Sequence, residues 1–244
     1  LVTQRYFFPR QDPPPHQVLV PVEGAMLGCA HIVLDPSWPT ILHFHGNGEV
    51  VSDYFPDWIE ILDDLGCNGV FAEYRGYGGS TGTPKHVEIF GDLETIRDTF
   101  GLEAEKTIVF GRSIGSIYAI EYAAKNPGVR GRILESGIHD VLERILLRAT
   151  PRELGVTMQE LREEAAEHLD HRAKLSAYEG SLLILHAEQD HLDEIEHGRR
   201  NHASASRAKD RVLVAFPQGD HNTIFWLNRV AYLNALRAFV RSLF

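Results

Sequence analysis

Two cysteines in 244 residues, Cys29 and Cys67, are too few for a disulfide framework. They fit a reducing compartment, so a cytoplasmic location is the expectation. No apolar run approaches the roughly 20 residues of a membrane-spanning helix. The opening LVTQRYFFPRQDPPP lacks the apolar centre of a signal peptide. Basic residues are in deficit: 24 Lys and Arg against 34 Asp and Glu leave a formal charge of −10. That speaks against a nucleic-acid partner, which needs clustered cations on a net basic surface. There is no internal repeat and no low-complexity tract. The first residue is Leu1 rather than Met, which leaves room for an upstream segment.

Hydrophobic residues are not in short supply. At 43% they suffice for a sizeable core, and the length suits one large α/β domain. Residues 1–16 are polar and proline-rich and read as a surface arm, with a single domain over 17–244. From there, strand-like runs recur: HQVLVPV, CAHIVL, TILHFHG, NGVFAEYRG, KTIVFG, RILESG, SLLILHAE and RVLVAFP. The first two abut and predict an antiparallel start. Helical patterns over 54–65, 86–100, 113–126, 192–208 and 222–243 separate the later ones. Their central runs are apolar on nearly every residue, as strands covered on both faces must be. The expectation is a mostly parallel eight-stranded sheet flanked by helices. One stretch breaks the rhythm. Residues 138–178 have helical spacing and heavy charge but no strand, and predict a small helical insertion after the sixth strand. It reads either as a substrate cap or as a long surface crossover.

Ligands of an open parallel sheet bind beyond the carboxyl ends of its strands. Those exits carry the informative residues. After TILHF comes His45-Gly46-Asn47-Gly48-Glu49, and after VFAEY comes Arg75-Gly76-Tyr77-Gly78-Gly79-Ser80. Gly111-Arg112-Ser113-Ile114-Gly115 follows TIVF, Gln189-Asp190 follows SLLILHAE, and Gln218-Gly219-Asp220-His221-Asn222 follows RVLVAFP. A serine, an acid and a histidine therefore stand in that order past successive strands, with the serine in a G-x-S-x-G turn. A serine hydroxyl is a weak nucleophile until a base takes its proton, and a neutral imidazole suits that task near pH 7. The imidazole in turn needs a carboxylate on its other nitrogen. Backbone amides at Ile114 and Asn47 are candidates to receive charge developing on a substrate oxygen.

The set HGNG, EYRGYGGSTGTP, GRSIGS, LHAEQD and GDHN resembles the α/β-hydrolase superfamily over nearly the whole chain. It looks most like a compact serine-hydrolase branch, esterase- or thioesterase-like. The resemblance implies Ser113 as nucleophile, Asp190 as acid, His221 as base, and the Asn47 and Ile114 backbones as oxyanion hole. It also implies acyl-bond cleavage of a small-molecule substrate through an acyl-enzyme, without metal or organic cofactor. Neighbours on this branch include thioesterases that remove fatty acyl groups, and peptidases share the triad. An acyltransferase, or a non-catalytic binding protein on the same fold, is the alternative. The chain departs from the pattern twice. Glu73 stands where Asp is commoner, and Asp220 precedes His221, where a carboxylate raises a histidine's pKa.

Each assignment has a plainer competitor. Ser113 also suits a helix N-cap, and His221 a surface position at a helix start. Glu188, Asp193 and Glu135 compete with Asp190. Arg75 and Tyr77 read as supports of their turn. His43 and His45 share a strand face, yet the metallo-hydrolase H-x-H-x-D-H run is not completed, so His43 reads as a core residue. Glu164, His168 and His171 have metal-compatible spacing on a helical face and read as part of a solvated helix. No metal site is expected.

Overall fold

Strands form where β-branched and aromatic residues run together, because their branched side chains fit a pleated surface covered on both sides. In the computed structural model, which describes residues 5–244, eight such runs pair into one sheet. They are β1 (Val18–Val22), β2 (Ala25–Ile32), β3 (Thr40–Phe44), β4 (Asn68–Ala72), β5 (Thr107–Arg112), β6 (Gly131–Glu135), β7 (Ser181–Ala187) and β8 (Asp210–Phe216). Their spatial order is β1-β2-β4-β3-β5-β6-β7-β8. Strand β2 is antiparallel to both neighbours, and every pairing from β4 to β8 is parallel. The expected mostly parallel sheet with an antiparallel start is what forms.

Among the described residues there are also ten α-helices, α1 (Asp57–Leu65), α2 (His86–Phe100), α3 (Gly115–Lys125), α4 (Val141–Leu146), α5 (Pro151–Leu154), α6 (Met158–His168), α7 (His171–Ala177), α8 (Ile195–Ser204), α9 (Ile224–Leu227) and α10 (Arg229–Leu243), and two short 3-10 helices, Val51–Tyr54 and Ala104–Lys106. Side chains alternate across each strand, so one strand feeds two cores. Leu42, Val109, Leu182 and Ile184 face α2, α3 and α7. Ile41, Ile108, Phe110, Leu183 and Leu185 face α1 and α10. With both faces covered, the carboxyl ends of the strands are left for chemistry.

Several boundaries differ from expectation. Strand β2 starts at Ala25 rather than Cys29, because it pairs with β1 from the turn onward. The pattern over 192–208 becomes helical only at Ile195, since Asp190 takes the amides of Leu192 and Asp193 into a turn. The final helix is split: Asn228 Nδ2 caps the carbonyl of Ile224, and α10 starts at Arg229. Four helices make up the insertion. Asp140, Thr150, Thr157 and Asp170 each accept a backbone amide three residues on, and these repeated N-caps cut the segment into short pieces.

The arm needs correcting too. Its residues 1–4 lie outside the described residues, and Pro9–Pro13 are exposed as expected of a surface segment. Tyr6 and Phe7, however, are buried in the core that also holds Leu42 and Tyr118. Two large aromatic side chains gain more by leaving water than a polar arm gains by staying in it.

Candidate active site

The G-x-S-x-G turn joins β5 to α3, and close approach explains its glycines. A Cβ on Gly111 would lie 2.5 Å from the Gly115 carbonyl oxygen, and one on Gly115 would lie 2.1 Å from that of Phe44. Ser113 between them holds φ at +51°, a region that non-glycine residues seldom occupy. Three bonds hold it there. Its amide donates to Glu135 O (2.9 Å), while its carbonyl accepts the Ser116 amide (3.0 Å) and the Ser116 hydroxyl (2.6 Å). The strained turn lifts the Ser113 side chain toward a cavity of about 260 Å³.

His221 shares that cavity, arriving on the loop after β8. Its Nδ1 lies 2.8 Å from Asp190 Oδ2, at the exit of β7. The other Asp190 oxygen accepts the amides of Leu192 and Asp193, which fixes the carboxylate. Burial pushes the pKa of Asp190 up, but the bond to His221 and the imidazole's charge outweigh it and leave it below the ordinary value. The fold thus brings Ser113, Asp190 and His221 to neighbouring strand exits. In this arrangement the Ser113 hydroxyl is 3.4 Å from Asp193 Oδ2, and no hydrogen bond joins it to His221 among the described residues.

The other candidate acids are committed elsewhere. Glu188 is exposed. Glu135 accepts from Arg112 Nε (3.1 Å) and from the Tyr232 hydroxyl (2.5 Å). Asp193 stays in the site, its Oδ2 3.9 Å from His221 Nδ1 and its Oδ1 2.9 Å from Arg144 Nε. Asp220 does not face the imidazole: one of its oxygens takes the Asn222 and Thr223 amides and the Thr223 hydroxyl, closing the turn around the histidine.

At the exit of β3, Asn47 has its side chain fully occupied. Its Oδ1 accepts from the Phe8 amide and the Tyr77 hydroxyl, and its Nδ2 donates to the Tyr6 carbonyl. Neither the Asn47 nor the Ile114 backbone amide donates to another group among the described residues. The Tyr77 side chain therefore supports this neighbouring turn after β3, where the sequence suggests a support of its own turn after β4. Arg75 does likewise for its own, through paired 2.7 Å bonds to Asp92. Glu73 takes His45 Nε2 at 2.6 Å and the Val51 amide at 3.0 Å, so its longer side chain holds the two exits together. His43 is packed among Tyr54, Trp58, Phe71 and Phe110. Glu164 is exposed and His168 half-buried on α6, but His171 is buried on α7 with Nδ1 3.1 Å from Ile138 O, so the three do not share a face. Among the described residues, no cluster of three or more His, Cys, Asp or Glu could hold a metal ion.

Some lining residues were not singled out by the sequence. Arg112 pairs with Glu49 (2.5 Å) and Glu135 (3.1 Å), and its Nη2 donates to the His221 carbonyl (2.7 Å). Burial opposes its charge, but the two carboxylates outweigh burial and raise its pKa. It ties three exits to the histidine loop; a lone charge ending an apolar strand was the available signal. Tyr6 and Phe8 of the arm, and Ile138, Arg144 and Arg148 of the insertion, complete the wall. A larger cleft of about 400 Å³ lies among Val129, Tyr178, Gly180 and Leu243, at the opposite, amino ends of β6 and β7.

Comparisons with known proteins agree with this architecture. The chain is 27% identical over 222 residues to alpha/beta hydrolase domain-containing protein 17C of Xenopus tropicalis, covering 89% of this chain and 66% of that relative's length. Est1E of Butyrivibrio proteoclasticus, solved with ferulic acid bound, superposes with a TM-score of 0.76 at 16% identity, over 93% of this chain and 98% of that one. An esterase of Pyrococcus furiosus gives 0.75 at 14% identity, over 96% and 98%. At those identities the likeness is one of fold. No helix among the described residues is long and apolar enough to cross a membrane. The family model for serine aminopeptidase, S33, matches residues 36–170, which include Asn47, Ser113 and Ile114 and stop short of Asp190 and His221. With more than half its length matched, the chain belongs to this family of hydrolases in the α/β-hydrolase superfamily.

Proposed function

We propose that the protein hydrolyses carboxylic esters through an acyl-enzyme on Ser113. The observation that carries this reading is the 2.8 Å contact between Asp190 and His221, beside a serine held at φ +51° in the same cavity. In this mechanism His221 Nε2 takes the Ser113 proton as Oγ bonds to the carbonyl carbon. The carbonyl electron pair moves onto oxygen, and the Asn47 and Ile114 amides receive that charge. Collapse expels the alcohol, which leaves with the proton from His221. Water then attacks the acyl-enzyme, giving a proton to His221, and Ser113 recovers it as the acid departs. Asp190 keeps the imidazole in the tautomer that both halves require.

The Ser113 hydroxyl faces Asp193. In the reaction the hydroxyl leaves Asp193 for His221, and such catalytic bonds commonly tighten only when substrate is bound. The cavity, about 260 Å³, falls just below the ~300–1,000 Å³ usual for small-molecule sites. Tyr6, Phe8, Ile114, Ile138 and Leu192 supply its apolar wall, which suits a short acyl group over a fatty chain. An esterase of Pyrococcus furiosus and Est1E share this fold, so an ester is the substrate class to test first. The test is fluorophosphonate labelling of intact protein and of Ser113→Ala, followed by p-nitrophenyl acetate, butyrate and octanoate. Labelling confined to the intact protein, with turnover falling as the acyl chain lengthens, is the expected result. Equal labelling of both forms refutes the reading.

A further inference from the structure

We infer that the insertion builds an anion subsite into this cavity, with Arg144 and Arg148 reading a carboxylate or phosphate group carried by the substrate; this rests on the ester-hydrolase reading above. The two arginines are four residues apart, so on a helical turn they project from one face. The turn does continue past α4, since Leu147 N donates to Glu143 O and Arg148 N to Ile145 O. Both side chains line the cavity that holds Ser113 and His221.

The charges around that cavity do not cancel. Arg112 is matched by Glu49 and Glu135. Arg144 is matched by Asp193, the one carboxylate in the lining, at 2.9 Å, but Asp193 Oδ1 receives no aligned hydrogen bond. This pair is a charge contact that can open when a better acceptor enters. Arg148 has no carboxylate within 4.0 Å among the described residues, and its guanidinium sits 5.5 Å over the Phe8 ring. A chain of net charge −10 thus leaves an unmatched cation at the mouth of its cavity. Beyond about 8 Å salt screens the overall negative charge, so the local guanidinium decides which groups bind there. Its planar fork suits a carboxylate or phosphate better than a neutral acyl tail.

The experiment compares mono-p-nitrophenyl adipate with p-nitrophenyl hexanoate, equal in acyl length and different in terminal charge, with Ser113→Ala rates subtracted. Binding of free adipate is followed in parallel by titration calorimetry, which needs no turnover. The expected result is a kcat/KM preference for the anionic ester on the order of tenfold, the scale of a hydrogen bond to a charged group. Arg148→Glu should abolish both the preference and adipate binding, whereas Arg148→Lys should retain part of each. Equal kcat/KM for the two esters, or a preference that survives Arg148→Glu, overturns the subsite and leaves ester hydrolysis standing. Adipate binding that depends on Arg148, with neither ester turned over, leaves the subsite and removes the hydrolase reading. Absence of both turnover and binding overturns both.

Discussion

The carboxylate of Asp193 stands 3.4 Å from the hydroxyl of Ser113, and no hydrogen bond joins that hydroxyl to His221 among the described residues. Two buried acids therefore crowd one imidazole, Asp190 at 2.8 Å and Asp193 at 3.9 Å from the same nitrogen. Only the nearer is aligned to hold the ring's tautomer. Asp190→Asn should lower kcat on p-nitrophenyl butyrate by about 10⁴, the effect of mis-setting a triad histidine. Asp193→Asn should stay within about tenfold of the intact protein, since it removes a contact the reaction must break anyway. The opposite ranking would transfer the role of acid to Asp193.

Gly115 is enclosed by the exit of β3. A methyl group there would press on the carbonyl oxygens of Phe44 at 2.1 Å and His45 at 2.7 Å, both backbone atoms that cannot swing aside. Gly115→Ala should cost roughly 1–3 kcal/mol or more of stability, as overpacking does. It should also lower kcat by displacing the Asn47 turn that follows. A thermal melt and turnover rate indistinguishable from the parent protein would show that the elbow tolerates a side chain.

Acid should weaken the fold well before its carboxylates titrate. Burial lowers the pKa of His86 to about 4 and that of His171 to about 3. Below the ordinary value of 6.5, the unfolded chain binds protons at these sites and the folded chain does not. Unfolding then takes up protons and stability declines as pH falls. By pH 4 each site should contribute a loss on the order of 3 kcal/mol. His45 runs the other way: burial lowers its pKa, but Glu73 outweighs burial and raises it, so its contribution fades as pH rises. Calorimetric melting temperatures between pH 8 and 4 should fall, and His86→Phe should flatten the slope. A melting temperature constant over that range would contradict the assignment.

Arg132 is fully buried on β6, and none of its three guanidinium nitrogens has a hydrogen-bond partner among the described residues. Its compensation is the Tyr178 ring, 4.0 Å from Cζ. Desolvation is the larger effect, lowering its pKa to about 10. A cation–π contact of about 2 kcal/mol does not offset the several kcal/mol of burying an unpaired charge. Arg132→Met should therefore raise stability by about 1–4 kcal/mol, read from urea denaturation midpoints at constant slope. A lower midpoint would mean the guanidinium is better satisfied than its contacts indicate.

The strands were legible because their signal is local. TILHF, TIVF and SLLILHA are apolar on both faces, and only a covered parallel strand tolerates that. The order of serine, acid and histidine was legible because strand exits follow chain order. Helix starts were less so: the onset of α8 at Ile195 and the break at Asn228 depend on side chains bonding to backbone a few residues away. The insertion carried its own punctuation in Asp140, Thr150, Thr157 and Asp170. Those caps divide the segment without saying where it lies.

Local pattern by itself determined the sheet, the glycine-flanked serine and the pair of candidate partners beyond β7 and β8. Folding alone decided which acid meets the imidazole, because Asp190 and Asp193 are the same residue type three positions apart and differ only in direction. It also sent Tyr6 and Phe7 into the core and set Arg112, Arg144 and Arg148 around one cavity. Contacts between residues about a hundred positions apart, such as Arg112 with His221, depend on how layers pack, and no short window of sequence encodes that.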